Sequence, residues 1–281
     1  MRAAIGPGEP FPPAWWRHVD RRRLDAIGAF VRDLDADVVA LEEVPILVVD
    51  GEVLDFPLEL ARLTGLEARY SAVGHFAVVE PETGRAVGAC LWGNAILTRL
   101  HVTAAAGAGL PLAADDDLVE PEGAPDPLRG GRYRLAGVRY ADAPTGSREP
   151  RSALRVSLES TLGPLDVVAT HLTHVGTGQR RSQAAFLAAF ADAGPAAARA
   201  VVVTGDLNAP IEADALAPLR DRFVDAFEAT GTPPGDPGRI SCGPVSLDHI
   251  LVRGLTAVAC AVDRSAGDLS DHWPVVATFA P

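Results

Sequence analysis

The sequence predicts an α/β fold in which two packed β-sheets are covered by helices. Many short apolar segments of strand length occur with only a few segments of helical period, unlike the strict strand–helix alternation of a parallel sheet. The chain has 281 residues, of which 48% are hydrophobic and 22% charged, so it can bury a large core. We expect one domain over residues 1–281.

The helices are predicted from apolar residues that recur at spacings of three and four. This period covers residues 20–34, which form one amphipathic helix. A second helix is expected at residues 57–63, closed by Gly65, since glycine tolerates the left-handed conformation at a helix end. A third helix is expected at residues 178–190.

Between the helices the chain alternates apolar strands with loops. Residues 104–131 are rich in Ala, Gly and Pro and carry several acidic side chains, and we interpret them as a surface insertion loop rather than a lid. Short apolar segments bounded by polar residues are typical of strands. The predicted strands are residues 37–41, 68–73, 76–79, 89–92, 95–98, 133–140, 153–158, 165–171, 200–204, 247–252 and 275–279.

The net charge and the cysteine content limit the class of partner and the cellular compartment that we expect. The net charge is -12, which disfavours a nucleic-acid partner without excluding it, because nucleic-acid binding uses basic surfaces that release phosphate counterions. Cys90, Cys242 and Cys260 lack paired spacing, so we interpret them as buried thiols in a reducing compartment rather than zinc ligands. We find no secretory leader and no apolar segment of about 20 residues. We expect a monomeric cytoplasmic protein with no membrane span.

Polar side chains occur at the ends of several predicted apolar strands, where burial is costly unless the side chains meet at a site. Oxygen ligands without cysteine suit Mg²⁺ or Mn²⁺, which takes one or two carboxylates and keeps water for a substrate phosphate. Carboxylate, amide and imidazole groups together can serve hydrolysis of a phosphate ester. The strand-end residues are Glu43, Thr170, His171, Asp206, Asn208, Asp248, Asp271 and His272.

Seven sequence segments resemble one known family. They are DVVALEEV, GNAILTR, EPRSAL, VVATHL, VVVTGDLNAP, SLDHILV and SDHWPVV, in the order and spacing of the endonuclease/exonuclease/phosphatase superfamily. The resemblance extends from about Arg21 to the C-terminus, and GDLN and SDHWPV are its most specific parts. It implies a four-layered α/β sandwich of the DNase I type, with two mixed β-sheets face to face and helices on the outside.

The resemblance also implies roles at a metal and a water. Glu43 would be the principal ligand of Mg²⁺ (or Mn²⁺), and Asp271 would support the metal. Asp206 would orient or deprotonate the attacking water. Asn208 would help to hold that water or the phosphate.

Further roles concern the phosphate of the substrate. His171 would donate to a phosphate oxygen in the transition state, and Arg151 would be another phosphate contact. His272 would contact the scissile phosphate, while Asp248 would fix its tautomer. Glu42 stands where the family commonly has Gln.

Other polar residues near these motifs are interpreted as structural. Asn94 is expected in a turn, and His174 in a solvated loop. By strand alternation, His249 should point away from the site. Arg180 and Gln183 are expected to pack at a helix start.

One departure from the family pattern concerns the N-terminus. Members normally begin with a strand that ends in an Asn ligand of the metal, and residues 1–18 contain no Asn. We expect a truncated or degenerate first strand, or a start upstream of Met1, with weaker metal binding as a consequence.

The resulting hypothesis is a hydrolase that cleaves a phosphodiester or phosphomonoester in a small or medium-sized substrate. A DNA or RNA nuclease is the first alternative, which the acidic insertion at residues 104–131 disfavours because it would repel a polyanion. A degenerate family member that binds without cleaving is the second alternative. The absent Asn favours it, and the retained site residues disfavour it.

Overall fold

The computed structural model of the protein describes residues 21–80, 82–111, 151–174, 176–194 and 200–281. The helices of this part are α1 (Arg21–Asp33), α2 (Phe56–Thr64), α3 (Thr177–Asp192), α4 (Ala217–Arg220) and α5 (Ala226–Ala229). Its strands are β1 (Val38–Val49), β2 (Glu52–Asp55), β3 (Glu67–Val79), β4 (Ala86–Thr98), β5 (His101–Gly109), β6 (Ser152–Ser160), β7 (Gly163–His171), β8 (Ala200–Asp206), β9 (Val224–Asp225), β10 (Asp248–Arg253), β11 (Thr256–Val262) and β12 (Val275–Ala280).

The strands form two larger sheets and a hairpin. One sheet has the order β2-β1-β4-β3, the second has the order β5-β6-β7-β8-β10-β9, and β11 pairs with β12. In the second sheet β7 and β8 run parallel because α3 connects them as a crossover. All described pairs of the first sheet are antiparallel, whereas the second sheet is mixed. In the first sheet β1 and β2 are consecutive in the chain, and so are β3 and β4. Each of these antiparallel pairs is therefore joined without a crossover.

Alternation along the strands builds the layers. In β8 the side chains of Val201 and Val203 pack on the α3 side, while Val202 belongs to the apolar cluster between the two sheets. In β4, Ile96 joins that same inner cluster, and Leu97 packs under α1 and α2. Helices therefore cover the outer faces of both sheets, and the predicted four-layered sandwich is confirmed.

Local signals explain where the helices start and stop. The Asp55 side chain accepts a hydrogen bond from the Leu58 N–H at the start of α2, a cap that contributes about 1 kcal/mol. Gly65 ends α2 with φ 74, as predicted from its lack of a β-carbon. α1 and α3 agree with their predicted ranges to within about two residues.

Several boundaries differ from the prediction. The predicted strands 68–73 and 76–79 are one strand, β3, and 89–92 and 95–98 are one strand, β4. Residues 104–109 of the predicted insertion belong to β5. Residues 1–20, residues 112–131 of the insertion and the predicted strand 133–140 lie outside the described residues.

The cysteines and the apolar segments agree in part with their interpretation. All three cysteines are free; Cys90 is buried, whereas Cys242 and Cys260 are partly exposed and so differ from the expected core thiols. Burial raises the pKa of the Cys90 thiol. In the described part of the chain no helix is both long and apolar enough to cross a membrane.

Candidate active site

A β-bulge in β1 carries the first two carboxylates of the site. β1 does not end at Glu43, as the sequence had suggested, but continues to Val49. The register with β4 shifts between Leu41 and Val44, and Glu43 has φ 56. A regular strand would direct neighbouring side chains to opposite faces. The bulge instead allows Glu42 and Glu43 both to line the same cavity.

Asn94 lies opposite this bulge, inside β4. It is buried, and its Nδ2 donates to the Ser152 carbonyl oxygen at 2.9 Å. The Thr170 hydroxyl donates to the same oxygen at 3.1 Å. The interpretation of Asn94 as a turn residue is therefore wrong, because its amide ties one sheet to the other beside the bulge.

The ends of the parallel strands β7 and β8 bring two further residues together. His171 and Asp206 are register partners, and His171 Nε2 lies 3.2 Å from Asp206 Oδ2. The other ring nitrogen lies 3.8 Å from Glu43 Oε1. A β-carbon at Gly205 would collide with the Thr170 carbonyl oxygen and lie 3.0 Å from Glu42 Oε1. Glycine thus allows the close approach of β8 to β7 below the carboxylates.

Asp206 is held in its ionised form. Burial raises the pKa of its carboxyl group, but hydrogen bonding and the charges of His171 and His272 outweigh this and lower it to about 2. The Asn208 N–H also donates to Asp206 Oδ1 at 2.7 Å. At neutral pH the Asp206 carboxylate is therefore negatively charged.

Asn208 follows Asp206 in a strained turn. Its φ is 51, a left-handed conformation that asparagine adopts more readily than most residues. Its Nδ2 donates to the Leu172 carbonyl oxygen at 2.8 Å. One amide donor is thus used to hold the segment after β7, while the side chain lines the cavity.

Asp248 and His272 form a hydrogen-bonded pair. Asp248 begins β10 directly opposite Asp206, and its Oδ2 lies 2.8 Å from His272 Nδ1. Burial lowers the pKa of His272, but the hydrogen bond to Asp248 and the nearby carboxylate charges raise it overall to about 9. His272 is therefore a cation at neutral pH.

The segment after β7 forms another wall of the cavity. Arg151 is 4% exposed, and its guanidinium lies 3.4 Å from His174 Nδ1. Arg180 donates to the carbonyl oxygens of Thr173 and His174, and Gln183 Oε1 accepts the Thr173 N–H. Arg180 and Gln183 hold this segment, as their predicted packing role requires. The interpretation of His174 as a solvated loop residue fits its exposure, but it also lines the cavity.

His249 directs its ring nitrogens into the interior, in line with its predicted structural role, although the residue also contributes to the cavity lining. It is 1% exposed, and its Nε2 lies 2.9 Å from the Ala209 carbonyl oxygen. Its Nδ1 lies 3.6 Å from Asp225 Oδ2, a carboxylate that is also paired with the buried Arg239. This interior group supports the turn that follows Asn208.

One cavity of about 420 Å³, hereafter the cleft, is lined by every strand-end residue named from the sequence except Thr170. Its apolar lining comes mainly from α1, β1 and the segment before β12. The predicted site residues that line it are Glu43, Arg151, His171, Asp206, Asn208, Asp248, Asp271 and His272.

Glu42 also lines the cleft, although the sequence predicts no role for it. Its burial, together with the charges of Asp248 and Asp206, raises the pKa of its carboxyl group to about 7. The signal that could have identified it was the acidic pair Glu42–Glu43 combined with a bulge, but a bulge is not readable from alternation alone.

The donor set of the cleft suits a hard cation. Among the described residues, no group of three or more His, Cys, Asp or Glu side chains is placed so that it could hold a metal ion. Mg²⁺ does not need such a group, because it is commonly held by one or two carboxylates together with water and substrate phosphate. Burial, and after it the charges of Asp248 and Asp206, raise the pKa of Glu42, and a nearby cation would offset both effects.

The family model of the Endonuclease/Exonuclease/phosphatase family matches residues 17–272. The chain belongs to this family. Because the match spans most of the cleft residues, the resemblance inferred from the seven segments is confirmed. None of the curated proteins matches the chain.

Solved structures share the fold of this family member. A functionally unknown conserved protein from Enterococcus faecalis V583 is 16% identical, with 99% of this chain and 96% of that chain covered and a TM-score of 0.64. The endonuclease/exonuclease/phosphatase from Beutenbergia cavernae DSM 12333 is 21% identical, with 99% and 68% covered and a TM-score of 0.63. D. rerio TDP2 complexed with single strand DNA product is 14% identical, with 93% and 92% covered and a TM-score of 0.61.

Proposed function

We propose that the protein is a metal-dependent phosphoester hydrolase that cleaves a phosphodiester or phosphomonoester. The observation that carries the proposal is the meeting of carboxylates, imidazoles, an amide and a guanidinium in one cleft of about 420 Å³. Phosphate-ester hydrolysis requires a positioned water, positive charge around the phosphoryl oxygens and help for the leaving oxygen. The cleft contains groups suited to each requirement.

In the proposed reaction a water oxygen attacks phosphorus while the bond from phosphorus to the leaving oxygen breaks, and one proton of the water ends on the departing oxygen. Asp206 accepts a hydrogen bond from this water, with Asn208 as a second partner. With a pKa of about 2, the Asp206 carboxylate is a weak base. We therefore assign it the orientation of the water rather than its prior deprotonation.

The phosphate is proposed to lie against the cationic side chains. The His272 imidazolium, which Asp248 orients, stabilises negative charge on the phosphoryl oxygens in the transition state. His171 donates to one phosphate oxygen. The Arg151 guanidinium is a further contact, which can hold two oxygens at once.

Two carboxylates of the cleft, one on β1 and one in the segment before β12, are proposed to serve the metal. Glu43 is the principal ligand of Mg²⁺ or Mn²⁺, and Asp271 supports it. When bound, the cation supplies the charge that polarises the phosphate for attack.

A small or medium-sized substrate fits the cleft and the charge of the chain. A cavity of about 420 Å³ lies in the usual range of small-molecule sites, and the net charge of -12 opposes a long polyanion. We expect the enzyme to act as a cytoplasmic monomer. A nuclease is the second candidate, since D. rerio TDP2, which shares the fold, was crystallised with single strand DNA product.

The test is hydrolysis of a substrate panel by purified protein in Mg²⁺, in Mn²⁺ and in chelator. The panel contains a chromogenic diester, a chromogenic monoester, plasmid DNA and structured RNA. We expect metal-dependent turnover of a small ester that falls about 100-fold or more in Asp206→Ala. Asp236→Ala, which alters a carboxylate outside the cleft, is the control and should keep wild-type turnover.

The outcomes separate the candidate functions. Preferential cleavage of DNA or RNA would replace the small-ester hypothesis with the nuclease. If folded wild-type protein shows no turnover above that of Asp206→Ala, the hydrolase proposal is wrong. The hypothesis of a degenerate binding protein is then favoured.

A further inference from the structure

One buried serine joins the two chain segments that carry Asp248 and His272. Ser241 is fully buried, with 0% exposure. Its Oγ accepts hydrogen bonds from the N–H groups of Leu247 and Asp248, each at 3.2 Å. The side chain of Ser241 therefore fixes the backbone at the first residue of β10.

The backbone of the same serine holds the second segment. The Ser241 carbonyl oxygen accepts the Trp273 N–H at 2.8 Å, one residue beyond His272. Its own N–H donates to the Val245 carbonyl oxygen at 3.1 Å, which closes a tight loop before β10. Ser241 is thus bonded directly to Asp248 and to the neighbour of His272.

These bonds matter because strand pairing does not fix the pair by itself. Asp248 is the terminal residue of β10, and His272 lies in the irregular segment between β11 and β12. The Asp248–His272 hydrogen bond of 2.8 Å joins residues 24 positions apart. Small displacements of either segment would lengthen this bond, and hydrogen bonds weaken steeply with poor geometry.

We propose that Ser241 is a positioning residue for the Asp248–His272 pair. It does not reach the substrate; it acts by holding the two segments in the register at which the imidazole and the carboxylate bond. This inference rests on the proposed function for its effect on rate, but its effect on the Asp248–His272 bond does not depend on that function. Loss of the hydroxyl frees the N–H groups of Leu247 and Asp248 and lets the carboxylate shift.

Two serine variants separate positioning from general stabilisation. Ser241→Ala removes a hydroxyl that accepts two N–H groups beside the cleft. Ser160→Ala is the matched control: its Oγ donates to the Gly163 carbonyl oxygen and accepts the Leu162 N–H, in the turn at the opposite end of β7. Both variants lose local hydrogen bonds, but of the two serines only Ser241 is bonded to the backbone of Asp248.

The first readout is steady-state kinetics on the ester that the wild-type protein cleaves best. We expect kcat of Ser241→Ala to fall about tenfold to 100-fold, with KM changed by less than about threefold, because small misplacements of reacting groups have costs of this order. Ser160→Ala should keep the wild-type kcat even where its thermal stability falls. Equal kcat in the two variants would overturn the proposal.

The second readout is the proton NMR signal of the His272 Nδ1–H that is bonded to Asp248. It should be present downfield in the wild type and in Ser160→Ala, and lost or displaced in Ser241→Ala. This readout remains decisive if the wild-type protein proves to have no hydrolase activity. An unchanged signal in Ser241→Ala would show that Ser241 does not hold the pair.

Discussion

The two sides of the cleft satisfy their charges in different ways. On the side of β8 and β10, each charged group has a close partner: His171 lies 3.2 Å from Asp206, and His272 lies 2.8 Å from Asp248. On the β1 side, Glu43 lies 3.8 Å from the nearest imidazole nitrogen, that of His171. The pKa of the neighbouring Glu42 is raised to about 7, mainly by burial.

The fold arranges the β8 and β10 side of the cleft before any ligand binds, whereas we expect a bound ligand to complete the β1 side. Direct hydrogen bonds hold the carboxylates and imidazoles of the first side in place before substrate arrives, which is the condition for electrostatic stabilisation of a transition state. The bulge on the β1 side brings two neighbouring carboxylates into the cleft, and the pKa of one of them, Glu42, is raised mainly by burial. Under the proposed function, a cation and a phosphate meet at the boundary between the two sides.

Asp248→Asn should produce the largest loss of activity, because it removes the carboxylate charge that pairs with His272. The amide keeps the shape but loses the charge that stabilises the His272 imidazolium, and we expect kcat to fall about 10²-fold to 10⁴-fold. Asp236→Asn, which retains a cap on a short helix outside the cleft, should have wild-type kinetics. Comparable kcat values in the two variants would rule out a role for the pair.

The pH profile provides a check on the same pair. A pKa raised to about 9 keeps His272 charged below that pH, so wild-type activity should fall as pH rises through about 9. The same shift favours folding below the unfolded pKa of about 6.5, and that contribution is lost as pH rises through about 9. In Asp248→Asn the alkaline loss should move to lower pH.

Glu43→Gln should affect the other side, through the metal. If Glu43 is the principal ligand, the Mg²⁺ concentration for half-maximal activity should rise at least about tenfold, the size of effect seen even for residues that only support a ligand. Glu59→Gln, which removes a surface carboxylate of α2, is the control. A wild-type Mg²⁺ requirement in Glu43→Gln would mean that the bulge does not bind the metal.

Asn94→Ala should weaken the bond between the sheets beside the bulge. It removes one of the two side-chain donors to the buried Ser152 carbonyl oxygen, and we expect the free energy of unfolding in urea to fall by about 1 kcal/mol. Thr103→Ala is the comparison: it removes a hydroxyl of β5 that donates to the Ser157 carbonyl oxygen of β6. It should cost about 0.5 kcal/mol or less. Equal losses would place Asn94 among ordinary strand residues.

The sequence predicts most of the fold because alternation and caps are local signals. α2 shows this well, since Gly65 marks its end in the sequence and adopts the left-handed conformation in the structure. β5 was missed because Ala and Gly have low strand propensity, and pairing with β6 supplies what propensity does not. Tertiary pairing of this kind has no signature in a single segment.

The predicted site residues line one cleft, but their geometry was not predicted. The strand-end rule found His171 and Asp206 because β7 and β8 do end there. It misplaced the end of β1, since two carboxylates interrupt an apolar segment whether the strand stops or bulges. The consequence was to overlook Glu42, which a regular strand would have turned away from Glu43 and which the bulge brings into the same cleft.

Glu42→Gln should produce the smallest effect, with a sign opposite to that of the other variants. The pKa of Glu42 is about 7 when folded against an ordinary value of 4.5, so the folded state binds a proton more tightly than the unfolded state. Its favourable contribution is present below pH 4.5 and is lost as pH rises through about 7. Gln keeps the shape without the charge. In chelator, Tm of the variant should therefore exceed that of the wild type. The difference should grow between pH 5 and about pH 7, at about 2–4 °C for each kcal/mol by which the buried charge destabilises the wild type.

The control is Glu52→Gln, which alters an exposed residue of β2 and should show no such growth in Tm. Added Mg²⁺ should reverse the ranking, because a bound cation makes the Glu42 charge favourable; a gain in Tm that does not respond to Mg²⁺ would place the cation away from the β1 side.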